Sequence, residues 1–193
     1  MPRTKLFDET EVLEKAMNLF WEKGYYATSI QDLVSHLGIN RASLYDTYGG
    51  KIELFKKAFN YYRNNNSSAL RQFLYGYEDI RQGLKALFSR AIQDSKSDAS
   101  NKGCFVVNTT IEFMPNEESF KSLILDNKKH AVNLFRDYLQ HGVDQGQISN
   151  EKDVLAIANL IFTFYNGLQV VTKVDANEDE NMAALEALLK VLD

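Results

Sequence analysis

Apolar side chains in the first third of the chain recur at helical rather than alternating spacing. Val12, Leu13, Ala16, Met17, Phe20 and Trp21 form one stripe, Ile30, Leu33, Val34 and Leu37 a second, and Leu54, Ala58 and Tyr62 a third. Repeats of three and four residues predict amphipathic helices. The first is expected from Asp8 to about Lys23, with Glu9, Glu11, Glu14, Lys15 and Glu22 facing water and Gly24 ending it. Thr28 and Gln31 have the spacing of a capping box, which starts a second helix there. Gly38 is free to take positive φ, and Asn40 caps a third helix that opens with Arg41, Ala42 and Ser43. Leu13, Met17, Phe20, Ile30, Leu33, Leu37 and Leu44 are the expected core of these three helices. A fourth runs from Lys51 to about Leu74, and at roughly 1.5 Å per residue it spans over 30 Å. Its run Asn64-Asn65-Asn66-Ser67-Ser68 is poor in helix propensity and reads as helix or as a break.

Further along, Ile80, Leu84, Leu87, Phe88 and Ala91 predict a helix from Glu78 to about Lys96, and the polar stretch Ser97 to Lys102 reads as a loop. From Gly103 to Phe113 the chain is apolar on nearly every side and rich in β-branched residues, so periodicity leaves helix and strand open until Pro115 stops it. Asn116, Glu117 and Glu118 start another helix, whose stripe of Phe120, Leu123, Ile124, Ala131, Leu134, Phe135, Tyr138 and Leu139 reaches about Gln145, with Gly146 as its cap. The most apolar helix, Val154 to Val171, contains Asn159, Thr163, Asn166, Gly167 and Gln169, which argue against a membrane span. The last runs from about Glu178 to Leu192.

Composition permits an all-α chain: of 193 residues only Pro2 and Pro115 are proline. A single Cys104 excludes an internal disulfide framework, and with no apolar or Arg-rich presequence the expected location is cytoplasmic. Residues 1 to 60 carry 8 Lys+Arg against 8 Asp+Glu, so the net charge of -4 belongs to the remainder. Overall charge does not announce a nucleic-acid binder, and any positive footprint rests on the placement of Arg3, Lys5, Arg41 and Lys51. The corner at Gly38 and Ile39 nevertheless points that way. Two helices this short are unstable apart, but crossed they form a helix-turn-helix whose second helix offers its N-terminal side chains to a major groove.

The segment Phe20 to Phe55, through Gly24, Thr28, Ser29, Ile30, Leu33, Gly38, Leu44, Tyr45, Tyr48, Lys51 and Leu54, resembles the DNA-binding domain of the TetR/AcrR family of transcriptional regulators. Gly103-Cys104-Phe105-Val106-Val107-Asn108, with Pro115 after it, is similar to a segment of one subgroup and favours helix there. The resemblance implies an all-α fold, with a DNA-binding domain in residues 1–50 and a helical effector-binding and dimerisation domain in residues 51–193. It implies a homodimer formed through the last two helices, a palindromic double-stranded DNA operator and repression relieved by a small-molecule effector. Family pattern and helix geometry turn Arg41, Ala42, Ser43 and Tyr45 toward the groove, and Thr28, Ser29, Tyr48 and Lys51 toward phosphates. Arg41 is the side chain able to contact guanine in bidentate fashion. Alternatively, Tyr45 and Tyr48 close the small core and Lys51 is a solvated cap. Asp46 departs from what a phosphate track would favour.

Candidates for the effector pocket are the polar residues that interrupt apolar helices, Asn108, Glu112, Tyr165, Asn166 and Gln169, together with Cys104. Phe88, Phe105, Phe113 and Phe162 are their candidate walls. Each has a plainer reading as a core hydrogen-bond partner or dimer contact. Cys104 is either a small buried hydrophobe or a thiolate whose oxidation or alkylation releases DNA. A constitutive DNA-binding or partner-binding dimer without effector is the remaining alternative. Neither CxxC nor HxxxH occurs, so no metal or cofactor is expected, and without a Gly-rich phosphate loop an enzyme finds no support.

Overall fold

The structure is a computed structural model that describes residues 7–97, 102–114, 118–175 and 177–193. Arg3, Lys5, Pro115, Asn116, Glu117 and most of the expected loop after Ser97 lie outside the described residues. The fold is all-α, with no strand among the described residues. The helices are α1 (Glu9–Lys23), α2 (Ile30–Leu37), α3 (Arg41–Tyr48), α4 (Lys51–Leu74), α5 (Ile80–Ser97), α6 (Phe105–Phe113), α7 (Lys121–Asp144), α8 (Val154–Val174) and α9 (Glu178–Leu189). Short 3-10 turns, Glu118–Phe120 and Lys190–Leu192, precede α7 and follow α9. The segment left open between helix and strand is helical, and α4 runs unbroken through its Asn-Ser run. The run itself is largely exposed, and the helix is anchored by the packed turns on either side of it, at Leu54, Phe55, Ala58 and Phe59 before and Leu74 after.

By contacts the chain forms two compact units, Met1–Asn66 with Asn108–Leu123, and Ser67–Val107 with Ile124–Asp193. This partition by packing differs from the functional division at residue 50 expected above: the first part of α4 and the second part of α6 belong with the N-terminal helices.

In the first unit, Val12, Ala16, Leu19, Phe20, Leu33, Leu37, Ile39, Leu44, Tyr48, Leu54, Phe55, Ala58, Phe59, Phe113 and Phe120 are buried. Leu13, Met17 and Ile30, expected in this core, are half-buried, and Leu19 takes a place the sequence reading missed. Each such side chain removed from water contributes about 1.5–3 kcal/mol. The α2–α3 corner closes on Gly38 at φ +67°, a left-handed conformation that favours glycine.

In the second unit, α5, α7, α8 and α9 enclose a core around Leu84, Phe88, Phe135, Tyr138, Leu139, Ala158, Ile161, Leu185 and Leu189. Four polar residues of α8 are satisfied by their own helix: Asn159, Thr163, Asn166 and Thr172 donate to the carbonyls four residues earlier at 2.7–2.9 Å. By length and composition α8 could cross a membrane, and only 22% of its apolar window is buried within the chain. Leu155, Leu160, Val170, Val171 and Val174 remain exposed along it.

Candidate nucleic-acid interface

The start of α2 is built differently from the expected capping box of Thr28 and Gln31. Ser29 is the N-cap, its Oγ accepting the Asp32 N–H at 3.0 Å while the Asp32 carboxylate accepts the Ser29 N–H at 2.9 Å and hydroxyl at 2.6 Å. Thr28 is wholly buried and donates its hydroxyl to the Gly24 carbonyl at 2.6 Å. The Ser29 bonds, followed by the Lys23 ammonium at 3.1 Å, hold the Asp32 carboxyl well below the usual carboxylate range. The box therefore lies one residue later than expected, and Thr28 serves the interior.

Asn40 caps α3 as expected, accepting the Ser43 N–H at 2.8 Å. Leu44 and Tyr48, four residues apart, point inward, while Arg41, Ala42, Tyr45 and Asp46 share the solvent face and Ser43 is half-buried at its edge. The Arg41 guanidinium lies 5.8 Å from the centroid of the Tyr45 ring, whose residue is 43% exposed. Of the two tyrosines, then, Tyr45 is free to meet a ligand and Tyr48 closes the core. Burial, with Glu9 and Asp8 adding to it, pushes the Tyr48 hydroxyl up to about 12, and the Lys57 ammonium covers its ring at 5.3 Å. Tyr48 is thus corrected from phosphate contact to core residue.

Lys51 occupies an intermediate position. Its ammonium lies 4.2 Å from the centroid of the Tyr25 ring, and burial pushes its pKa down against the opposing charges of Glu112 and Asp32. An anion approaching the start of α4 would meet this cation and the free N–H groups of the helix together.

The effector candidates separate into two groups. In the second unit Phe88 packs edge-on against Tyr165 at 5.8 Å, the Tyr165 hydroxyl bonds Gln169, and burial with the nearby Cys104 pushes that phenol up to about 12. Phe105 is buried, whereas Cys104 and Phe162 are half-buried. Asn166 is turned back on the Phe162 carbonyl at 2.7 Å, so its amide serves α8. Asn108, Glu112 and Phe113 belong to the first unit. There Phe113 stacks on Phe120 at 3.8 Å, and the Glu112 carboxylate accepts the backbone N–H groups of Tyr25 and Tyr26. Glu112 and Phe113 are corrected from pocket lining to structural members of the helix-turn-helix unit.

Two open grooves are described in the second unit. One of about 280 Å³ lies beside Asp79, Gln147 and Leu192, and one of about 300 Å³ beside Ser67, Arg71 and His130. No effector candidate lines either. Among the described residues no three His, Cys, Asp or Glu side chains cluster as a metal site would require.

A capped helix pair with a solvent-facing second helix, carried on an all-α chain, defines a helix-turn-helix regulator. Residues 12–58 match the family of bacterial regulatory proteins of the tetR type, and residues 81–188 match the tetracyclin repressor-like C-terminal domain. The uncharacterized HTH-type transcriptional regulator YezE of Bacillus subtilis (strain 168) is 32% identical over 194 residues, covering 100% of both chains. ComR, an HTH-type transcriptional repressor of Escherichia coli (strain K12), is 24% identical, covering 98% of this chain and 90% of its own. A cysteine mutant of the TetR family regulator CifR, solved with 26-bp double-strand operator DNA, superposes with a TM-score of 0.84 at 26% identity, covering 99% of this chain and 100% of that one. The chain belongs to the TetR family of transcriptional regulators, which are DNA-binding proteins and not enzymes.

Proposed function

We propose that the protein is a homodimeric, cytoplasmic repressor that binds a palindromic operator and is released from it by a small effector. The observation that carries the DNA-binding part is the solvent face of α3, where Arg41, Ala42, Tyr45 and Asp46 stand together above a buried Leu44 and Tyr48. Arg41 is matched to guanine, Ala42, Ser43 and Tyr45 complete the groove contacts, and Ser29 and Lys51 flank them on the phosphate side. Thr28 and Tyr48 act from inside, by fixing α2 and α3. DNA contact is thereby assigned to residues 1–50, and effector binding and dimerisation to residues 51–193.

Dimerisation is supported by α8 and α9. Leu160, Val171 and Val174 fall on one side of α8 with Gly167, which has open space at its Cβ position, and α9 exposes Ala183, Ala184 and Ala187. An apolar surface of this kind matches a four-helix interface with a second copy. Two α3 helices must then sit about 34 Å apart to enter successive major grooves, and an effector acts by changing that spacing. For the effector we assign Phe88, Phe105, Phe162, Tyr165 and Gln169, with Cys104 at their edge. The half-exposed state of Cys104 favours a second reading, in which oxidation or alkylation of the thiol gives the release signal.

The test pairs Arg41→Ala with Lys51→Ala on a duplex selected by the parent protein from a randomised pool. Arg41→Ala is expected to weaken binding by about 1–3 kcal/mol and relax preference at one base pair. Lys51→Ala is expected to weaken all sequences evenly and lower the salt slope by about one unit. Unchanged affinity in Arg41→Ala refutes the assignment of α3, and unchanged affinity in both variants refutes the whole interface. Cys104→Ser decides the second reading, since release by oxidants that survives in this variant excludes it.

A further inference from the structure

Glu112 lies outside the DNA-binding family match at residues 12–58, yet its carboxylate reaches the turn that precedes α2. One oxygen, Oε2, accepts the Tyr25 N–H at 3.0 Å, and the other, Oε1, accepts the Tyr26 N–H at 2.8 Å. Two successive amides of the α1–α2 turn are thus held by one charged group, and hydrogen bonds to an ionised acceptor belong to the strong class. Gly24 fits the arrangement, because a Cβ there would stand 3.1 Å from Oε1 and its φ is +81°. The turn is also tied to itself, the Thr28 N–H reaching the Tyr25 carbonyl at 3.2 Å and the Thr28 hydroxyl reaching the Gly24 carbonyl. The Tyr25 ring is fixed between Phe55 at 5.2 Å, Phe113 at 5.0 Å and the Lys51 ammonium. The next residue after this turn is Ser29, the cap of α2.

We propose that Glu112 is a positioning residue for DNA binding: its carboxylate holds the Gly24–Thr28 turn in the geometry that presents α2 and α3 to the duplex. The proposal rests on the reading of α3 as the helix that enters the groove. Its consequences differ from those of the two plainer roles a carboxylate could have. If Glu112 acted only through its charge, neutralising it would tighten binding to a polyanion. If it acted only on stability, its loss would leave affinity unmoved well below the melting temperature, where nearly every molecule stays folded. A positioning role weakens binding by the folded protein.

The experiment uses the full-length protein and Glu112→Gln, Glu112→Asp and Arg41→Ala, titrated against the duplex selected by the parent protein, at several salt concentrations. Melting temperature, helical circular dichroism and hydrogen exchange at Tyr25 and Tyr26 are read alongside. Glu112→Gln keeps the size but offers one oxygen where two are used, and is expected to bind about tenfold more weakly. Its salt slope stays at the parent value, because no phosphate contact has been removed. Exchange at Tyr25 and Tyr26 accelerates while helicity is retained, and Glu112→Asp, which keeps the charge, recovers part of the affinity. Parental or tighter binding by a folded Glu112→Gln overturns the proposal. Should that variant unfold, Glu112→Asp decides: weaker binding at full helicity supports positioning, and parental affinity with faster exchange overturns it. Arg41→Ala separates the two propositions, since unchanged binding there defeats the reading of α3, whereas unchanged binding in the Glu112 variants alone defeats only the positioning role.

Discussion

In the first unit polar side chains are spent on the ends of helices: Asp8 caps α1, Ser29 and Asp32 cap α2, and Asn40 caps α3. In the second unit four polar residues of α8, Asn159, Thr163, Asn166 and Thr172, sit within the helix and are returned to their own backbone. The contrast follows from what each unit presents. Short helices of eight residues need their ends satisfied to exist, and once fixed they leave a solvent face for a polar, sequence-reading ligand. The helix α8 also carries a cap, the Asp153 carboxylate accepting the Leu155 and Ala156 N–H groups, but its 21 residues depend on that cap less, and it leaves outside a row of aliphatic side chains suited to another apolar surface. Both units cap their helices, with Asp79, Asp153 and Asn177 doing so in the second, and what differs is the outward face, polar on α3 and aliphatic on α8.

The largest expected effect tests the apolar side. Val171→Glu places a charge in the exposed row of α8, and is expected to shift the protein in light scattering from dimer to a 22.1 kDa monomer. In the proposed dimer two heads share one operator, and loss of that avidity should lower operator affinity by about a hundredfold or more. An unchanged dimer would mean that this row meets something other than a second copy, and detergent or lipid dependence of the variant would point to a membrane. Smaller is the effect of a cavity in the first unit. Leu33 is fully buried, and Leu33→Ala is expected to cost about 2–5 kcal/mol, read as lost operator binding and faster proteolysis of the N-terminal helices at parental dimer mass. Equal damage to dimerisation would break the separation drawn above.

The legibility of the two regions in the sequence differs for the same physical reason. Caps and corners are local, so Asp8, Gly38 and Asn40 could be read directly as helix boundaries. The displacement of the capping box to Ser29 came from burial: Thr28 and Ser29 both have acceptors at hand, and only the packed interior decides which one turns inward. Tyr48 follows the same logic, since a residue four positions after the buried Leu44 must share its side of α3. That spacing was available in the sequence and could have separated Tyr48 from Tyr45. Glu112 could not have been placed this way. Its partners are backbone groups 86 and 87 residues earlier, and a carboxylate in an apolar run looks the same whether it faces a pocket or a distant turn. Likewise, Asn166 resembles a pocket residue by composition, although its amide is committed to the Phe162 carbonyl.

The finest test concerns the capping box itself. Ser29→Ala removes the acceptor for the Asp32 N–H and is expected to cost about 1 kcal/mol, at the scale of a lost N-cap. The pH dependence carries more information than the size. Because the Ser29 N–H and hydroxyl, then Lys23, hold the Asp32 carboxyl below its ordinary range, the folded state binds this proton less readily than the unfolded chain does. The resulting stability is fully present above the unfolded pKa of about 3.9 and is lost as pH falls through the lower folded value. Asp32→Asn is therefore expected to be less stable than the parent at neutral pH, with the gap closing once the solution is taken well below pH 4. Urea midpoints of the two proteins across that range decide the matter. A gap that stays constant down to the most acidic point would show that Asp32 acts by shape alone, and that the α2 cap owes nothing to its charge.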